Sequence, residues 1–301
     1  MSEHILLLTA IHEQVAPLAA AVQRLEPEVV CVSGFEEHAS SVLAAVDVVL
    51  GWRFPKGLAA RLTGLRWVCS MAAGVEKLLV PDLAPDIPVS RVVDPEQGIG
   101  LGQYAVAMVL RHARGLARYE VQQRARDWSR YPMAVARHRV VVLGWGEVGR
   151  EVGRQFEALG FPVRGWRRDG TPLVSVLHDA EVVINTLPLT PATEALLDAT
   201  AFAAMPRGAY FVNIARGGHV VEEHLIAAVR SGHLSGAALD VQQREPLPAA
   251  DPLWSVPGIT ITPHIASQPS HDKVAEQFVA GLRRLRRGEP LPNVVDRARG
   301  Y

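Results

Sequence analysis

Short apolar runs alternate with segments whose apolar residues recur every three to four positions, along almost the whole chain. Strand and amphipathic helix in alternation predict parallel α/β architecture, because each parallel strand must be reached by a crossover. In the first third, runs beginning at His4, Glu28, Val46, Leu65 and Val89 read as strands. The stretch Val46–Leu50, apolar but for Asp47, suits a sheet covered on both faces. A second series of runs begins at Arg139, Pro162, Ala180, Ala209, Ser235 and Ile259. Between the two series one long helix is predicted, from Leu101 to about Trp128. Leu101, Tyr104, Ala105 and Met108 fall at i, i+3, i+4 and i+7 and give its first turns one apolar face. Farther on Arg and Gln dominate, the composition of a part that reaches across a surface or a partner. A last helix, basic at its end, is predicted over residues 270–287 and would carry the chain back to the first domain. The expected fold class is α/β, with two doubly wound parallel-sheet domains and a cleft between them. Residues 1–98, completed by 269–301, form one domain and residues 99–268 the other. No internal repeat or low-complexity segment interrupts the pattern.

Composition narrows the partners more than the fold. A chain of 301 residues is comfortable for two domains, and 49% hydrophobic with 21% charged residues is a globular balance. Lys plus Arg equals Asp plus Glu at 31 each, so charge gives no reason to expect nucleic acid or an anionic membrane. The first residues carry no basic n-region, and their apolar run is too short for a signal or a membrane span, which predicts a soluble, cytoplasmic protein. Cys31 and Cys69 lie inside apolar runs and are expected as buried, reduced thiols. No metal site is expected.

One loop carries a candidate for cofactor binding. Gly144, Gly146 and Gly149 stand in Gly-x-Gly-x-x-Gly spacing, directly after the apolar run 140–143 and at the start of a helix opening near Glu147 and Val148. Glycines there allow a tight turn and close approach of a pyrophosphate to helix N-terminal amides; a glycine turn without ligand is the plainer reading. Trp145, between the glycines, is unusual, but its side chain can point away from the phosphates. The next predicted strand ends in Arg167 and Arg168 with no acid at the place where NAD is usually recognised. Guanidinium groups suit a 2′-phosphate, so NADPH is the expected cofactor and NADH the alternative. Asp169 is either a turn residue or a displaced ribose ligand.

Three later strands end near residues with chemical potential: Arg216, Glu245 and His264. Ligands of open parallel sheets bind outside the carboxyl ends of the strands. A cation, a carboxylate and an imidazole at that edge could reduce a 2-oxo acid, with His264 as acid, Glu245 stabilising its charged form and Arg216 gripping carboxylate and carbonyl. Singly, each has a duller explanation as a loop cation, a surface turn and a capped loop histidine.

The chain resembles the D-2-hydroxyacid dehydrogenase family, in particular its glyoxylate/hydroxypyruvate reductase A branch. The resemblance runs from about Val46 to the last residue, and these stretches carry it: Ala72-AGVEKLL, Gln103-YAVAMVL, Gly144-WGEVG, Ile184-NTLPLTPAT, Val212-NIARGGHVVEEHL, Leu239-DVQQREPLP, Pro252-LW, Ile259-TITPHIAS and Val295-DRARGY. It implies a flavodoxin-like substrate domain and a Rossmann cofactor domain. It implies catalytic roles for Arg216, Glu245 and His264, and a substrate-carboxylate loop at Ala73 and Gly74. Trp52 falls where the branch places an aromatic beside the substrate, a rim tryptophan filling the cleft being the alternative. Leu187, Pro188, Ile214, Ala215, Asp240, Ala266 and Ser267 fall on cofactor-contacting positions. The implied activity is NADPH-dependent reduction of glyoxylate or hydroxypyruvate, and the helix over 101–128 suits the two-fold interface of a homodimer. The chain departs from the family pattern in two places. Arg168 to Glu181 leaves only about a dozen residues for a crossover, close to the minimum, so a strand or helix there is expected to be shortened or missing. Gln242 and Gln243 replace a more usual Phe and polar residue, a change expected to loosen packing under Glu245. The rival readings are a dinucleotide-sensing protein without turnover and a dehydrogenase for a different 2-oxo acid.

Overall fold

The computed structural model describes residues 3–297. From the N-terminus run β1 (His4–Leu8), α1 (Val15–Leu25), β2 (Val30–Ser33), α2 (Ser40–Ala44), β3 (Val46–Gly51), β4 (Trp67–Ser70) and β5 (Val89–Arg91). Two helices follow, α3 (Pro95–Ala113) and α4 (Leu116–Ala125). The second series is β6 (Val140–Leu143), α5 (Glu147–Ala158), β7 (Val163–Trp166), α6 (Leu173–Leu177), β8 (Val182–Asn185), α7 (Ala199–Ala204) and β9 (Ala209–Asn213). It continues with α8 (Glu222–Arg230), β10 (Leu234–Leu239) and β11 (Ile259–Ile261), before α9 (His271–Arg286). The chain divides into two units, one made of the residues up to Pro95 with those from Gln268 on, the other of Glu96–Ser267.

The first unit is built on a parallel sheet in the order β2-β1-β3-β4-β5, the flavodoxin-like order. Successive side chains of β1 point to opposite faces, so Ile5 and Leu7 join one core while Leu6 and Leu8 join another. On the first face α1 and α9 pack through Leu18, Val22, Phe278 and Leu282. Phe278 lies flat on Trp67, with ring centroids 5.1 Å apart, and Trp67 Nε1 donates to Ser90 Oγ at 2.9 Å. The Ser270 side chain caps α9, and near its other end Arg286 forks onto Glu3 (2.9 and 2.7 Å) and reaches Glu26 at 2.7 Å. The tail pairs with β5, Val295 N–H donating to Val89 O at 2.9 Å. The terminal part of the Val295-DRARGY stretch, from Ala298 on, lies outside the described residues. Cys69 is buried as expected, but Cys31 is only half-buried, because β2 is an edge strand. Burial pushes the Cys69 thiol up to about 12 and that of Cys31 up to about 11.

The second unit carries a parallel sheet in the order β11-β10-β9-β8-β6-β7. The chain passes from β7 across β6 to β8 through α6, a helix of only five residues. This is the shortened crossover foreseen in the sequence, and β7 ends the sheet among the described residues. The predicted long helix is two helices. Gly115 adopts a left-handed conformation (φ 60°) that ends α3, and Arg126 does the same (φ 56°) after α4. Helix α3 also begins earlier than predicted, at Pro95, whose fixed φ suits a first helical turn. Ala105 and Val109 of α3 are buried against β6 and β8, with Leu101, Tyr104 and Met108 packed beside them. Helix α4 buries only Gln122. Among the described residues no helix is long and apolar enough to cross a membrane.

Candidate active site

The glycine loop has the shape its spacing suggests. Gly144 has φ 96°, and a Cβ there would sit 2.9 Å from the main chain of Thr186 and Leu187. A Cβ at Gly149 would overlap the Gly144 carbonyl oxygen, so the helix could not start so close to the strand. At Gly146, by contrast, a Cβ would meet nothing within 4 Å. No side chain caps α5, whose first-turn amides belong to Glu147, Val148 and Gly149. Helix-start amides have no intrahelical acceptor, so an open glycine beside them is a fitting seat for a pyrophosphate. Thr186 braces the loop, its hydroxyl donating to Leu143 O (2.8 Å) and Gly144 O (3.0 Å). Arg167 donates from Nε to the Trp145 carbonyl at 2.7 Å, and Arg168 from Nη1 to Ala192 O at 2.7 Å. Asp169 accepts from Thr171 N–H at 3.4 Å, a contact of the turn after β7.

Farther along the same sheet edge the three candidate catalytic residues follow β9, β10 and β11. His264 Nδ1 lies 3.2 Å from both carboxylate oxygens of Glu245, and the two side chains are 25% and 19% exposed, half-sheltered yet open to a ligand. His264 holds a left-handed backbone (φ 57°), a strained state costing roughly 1–3 kcal/mol that persists only when its surroundings enforce it. The enforcing group is Asp240. Its buried carboxylate accepts from Thr262 Oγ1 (2.5 Å), Ile265 N–H (2.8 Å) and Ala266 N–H (2.9 Å), while its carbonyl accepts the His264 N–H at 2.9 Å. Tyr104 reaches the same Thr262 hydroxyl at 2.7 Å from α3, and burial pushes its phenol up to about 12. Arg216 bends back to its own loop, Nη1 donating to Ala215 O at 2.7 Å. The next residue, Gly217, packs directly on the Gln242–Gln243 peptide, where any Cβ would overlap main chain. That contact keys the Arg216 loop to the loop carrying Glu245.

The two glutamines do not loosen the loop under Glu245, contrary to the sequence expectation. Gln242 is buried and donates to Leu239 O at 3.1 Å, while its N–H reaches Glu245 Oε1 at 3.3 Å. Gln243 donates to Val220 O from its side chain and to Glu222 Oε1 from its N–H. An amide replaces apolar filling with hydrogen bonds to main chain, which fixes the loop by direction instead of by volume.

In the first unit, Trp52 and the Ala73–Gly74 loop follow the adjacent strands β3 and β4, which end in register at Gly51 and Ser70. The Ser70 hydroxyl, fully buried, donates to Gly74 O at 2.7 Å and accepts from Ala72 N–H at 3.2 Å. Trp52 is half-buried, with Lys77 Nζ 5.5 Å from its ring centroid. The turn is therefore shaped from within, by a side chain that the sequence reading did not single out.

Residues 106–266 match the family model for the D-isomer specific 2-hydroxyacid dehydrogenase, NAD binding domain. The chain belongs to this family. A glyoxylate/hydroxypyruvate reductase A from Photorhabdus laumondii is 35% identical over 274 residues, which cover 85% of this chain and 88% of that protein. The crystal structure of a D-isomer specific 2-hydroxyacid dehydrogenase from Xanthobacter autotrophicus Py2, in complex with NADPH and MES, is similar with TM-score 0.84 and 36% identity over 100% of both chains. An NADPH-dependent glyoxylate/hydroxypyruvate reductase from Sinorhizobium meliloti, in complex with NADP and sulfate, is similar with TM-score 0.88 and 28% identity over 100% of both chains.

In this dehydrogenase domain, sequence reasoning missed the residues that hold the loops. Asn185 and Asn213, fully buried at the ends of β8 and β9, bond to each other at 3.0 Å. Asn185 Oδ1 accepts from Leu187 N–H (3.2 Å), and Asn213 accepts from Ala215 N–H (3.2 Å) and donates to Arg216 O (3.0 Å). They thus shape the turns carrying Leu187 and Pro188 on one strand, and Ile214, Ala215 and Arg216 on the next. A polar residue closing an otherwise apolar strand, twice in a row, was the available signal.

Proposed function

We propose that the chain is an NADPH-dependent reductase of small 2-oxo acids, with glyoxylate and hydroxypyruvate as substrates. The observation that carries this reading is the His264–Glu245 pair at 3.2 Å, on the sheet edge that also bears the open glycine loop. A nicotinamide cofactor, when bound, supplies a hydride for the carbonyl carbon. His264 is the acid. With Nδ1 committed to Glu245, Nε2 is the nitrogen that can give a proton to the carbonyl oxygen, and the carboxylate holds the ring in orientation. Arg216 offers a planar fork for the substrate carboxylate and carbonyl, and the Ala73 and Gly74 amides orient the carboxylate, with Trp52 beside it. Gly144, Gly146, Glu147, Val148 and Gly149 would hold the pyrophosphate. Leu187, Pro188, Ile214, Ala215, Asp240, Ala266 and Ser267 would line the rest of the cofactor site, and Arg167 and Arg168 would meet the 2′-phosphate. The NADPH and NADP in the two related structures support that preference.

The active form in this reading is a homodimer in a reducing, cytoplasmic compartment, which suits two free thiols. Leu116, Val121, Trp128 and Val135 are exposed on α4 and the segment after it, and a second copy of the chain would cover them. A sedimentation mass equal to one chain would remove the dimer.

The deciding experiment measures oxidation of NADPH and NADH with hydroxypyruvate and with glyoxylate. Turnover fastest with NADPH is expected. Cofactor binding without turnover on either acid would sink the reading and favour another 2-oxo acid or a dinucleotide sensor.

A further inference from the structure

We infer that Trp145 is a positioning residue for cofactor choice, its indole seated in a slot formed by Gly153 and Gly165 so that its carbonyl aims Arg167 at the 2′-phosphate of NADPH. The inference rests on the NADPH reading above and adds to it the device that would set the preference.

The slot is cut from two different elements. A Cβ at Gly153, in α5, would stand 2.5 Å from the outer edge of the indole, and a Cβ at Gly165, in β7, would overlap its ring fusion. Glycine inside a helix or a strand costs about 0.5–1 kcal/mol relative to alanine, so each is a local weakness unless something fills the vacated space. One indole fills both. The same residue is bonded through its main chain to the end of β7: Gly144 N–H and Trp145 N–H both donate to Trp166 O at 3.0 Å, and the Trp145 carbonyl accepts from Arg167 Nε at 2.7 Å. Side chain and peptide together staple the glycine loop to the strand end that carries the arginine pair.

The two arginines are used differently. Arg168 spends a terminal amino group on Ala192 O. Arg167 is held through Nε, and among the described residues its two terminal amino groups have no other hydrogen-bond partner. A guanidinium fixed at Nε keeps four N–H donors in one plane for a phosphate. NADH has no 2′-phosphate and gains nothing from that aim. The short crossover gives the arrangement its reason: with β7 at the sheet edge, no further strand among the described residues supports the arginines, and the loop itself must do so.

The test is a double-mutant cycle on the full-length enzyme, with KM and kcat measured for both cofactors. Trp145→Ala is expected to raise KM for NADPH about tenfold, the scale of one charge-assisted hydrogen bond, with KM for NADH and kcat at saturating cofactor little changed. In an Arg167→Met background, Trp145→Ala should leave the NADPH-to-NADH ratio where Arg167→Met put it. Trp145→Phe, which still occupies the slot, should restore most of the preference. An equal rise in KM for both cofactors, or independent effects that multiply in the double variant, would overturn the inference. If Trp145→Ala does not fold by circular dichroism, Trp145→Leu carries the same cycle with the same two outcomes. A wild-type enzyme without preference for NADPH would instead remove the underlying reading, which is a distinct result.

Discussion

The two units finish their strands in different ways. In the first, β3 and β4 run into Trp52 and into Met71, Ala72, Ala73 and Gly74, and one buried hydroxyl, Ser70, shapes the turn. In the second, Asn185 and Asn213 close two neighbouring strands, Asp240 and Thr262 stand just beyond the next two, and each bonds to the loop that follows or to its neighbour. In the proposed reaction the contrast follows from what each loop would present. Main-chain amides recognise a carboxylate once the turn has the right shape. A proton donor must be held by its side chain within a fraction of an ångström, and that takes support behind the loop.

The largest effect should come from striking the side-chain edge directly. His264→Ala removes the proposed acid while leaving the glycine loop intact. A loss in kcat of roughly a hundredfold or more is expected, with NADPH affinity by fluorescence titration nearly unchanged. An active His264→Ala enzyme would show that this edge needs no imidazole and would dissolve the contrast between the two units.

A smaller and different effect belongs to the first unit. Ser70→Ala leaves Gly74 O and Ala72 N–H without their shared partner, a loss of about 1–2 kcal/mol at a buried site. The turn should relax, raising KM for hydroxypyruvate by roughly three- to tenfold, with kcat and the KM for NADPH held. Should kcat fall instead with KM unchanged, the loop would be acting in the chemistry, and the division into recognition and proton transfer would fail.

The same contrast governs what could be read from sequence. Strand spacing revealed both sheets, and the strand-end rule brought Arg216, Glu245 and His264 to one edge, because both depend on hydrophobic periodicity and position alone. The supports were hidden. Asp240 drew notice only for a cofactor contact, and its work as a support was invisible: its carboxylate is bonded to Thr262, Ile265 and Ala266, partners that become neighbours only after β10 and β11 pair. Gln242 and Gln243 looked like poor packing, since an amide's value lies in the direction of carbonyls that a sequence does not place. The break at Gly115 was written in the chain, but an isolated glycine is tolerated in helices often enough that it did not mark an end by itself. Trp145 was visible as an oddity, and its slot was not, because Gly153 and Gly165 come together only across α5 and β7.

The smallest effect tests whether buried polar groups also make the second unit the more acid-sensitive of the two. His112 stacks on Tyr210 with ring centroids 3.9 Å apart and its Nε2 lies 2.9 Å from Ser235 Oγ. Burial, with His138 nearby, lowers its pKa from 6.5 to about 4. Between those values the unfolded chain takes up a proton that the folded chain refuses, so His112 stabilises fully above pH 6.5 and its contribution is lost as pH falls toward 4. In the first unit, the Arg286 bond holds Glu3 below its usual 4.5. At Glu26, burial works against ionisation, and Arg286 and Arg283 more than offset it. Those carboxylates stabilise above pH 4.5 and lose their contribution only below it, a lower window. Thermal unfolding of the wild type should therefore weaken between pH 6.5 and 4.5, by on the order of 1–2 kcal/mol, while His112→Phe keeps the ring stack and flattens that decline. Below about pH 4, where His112 is protonated folded and unfolded, the drop should be the same in both. Parallel curves for wild type and variant across the upper window would mean that His112 titrates alike folded and unfolded, and that the polar interior of the second unit carries no acid liability of its own.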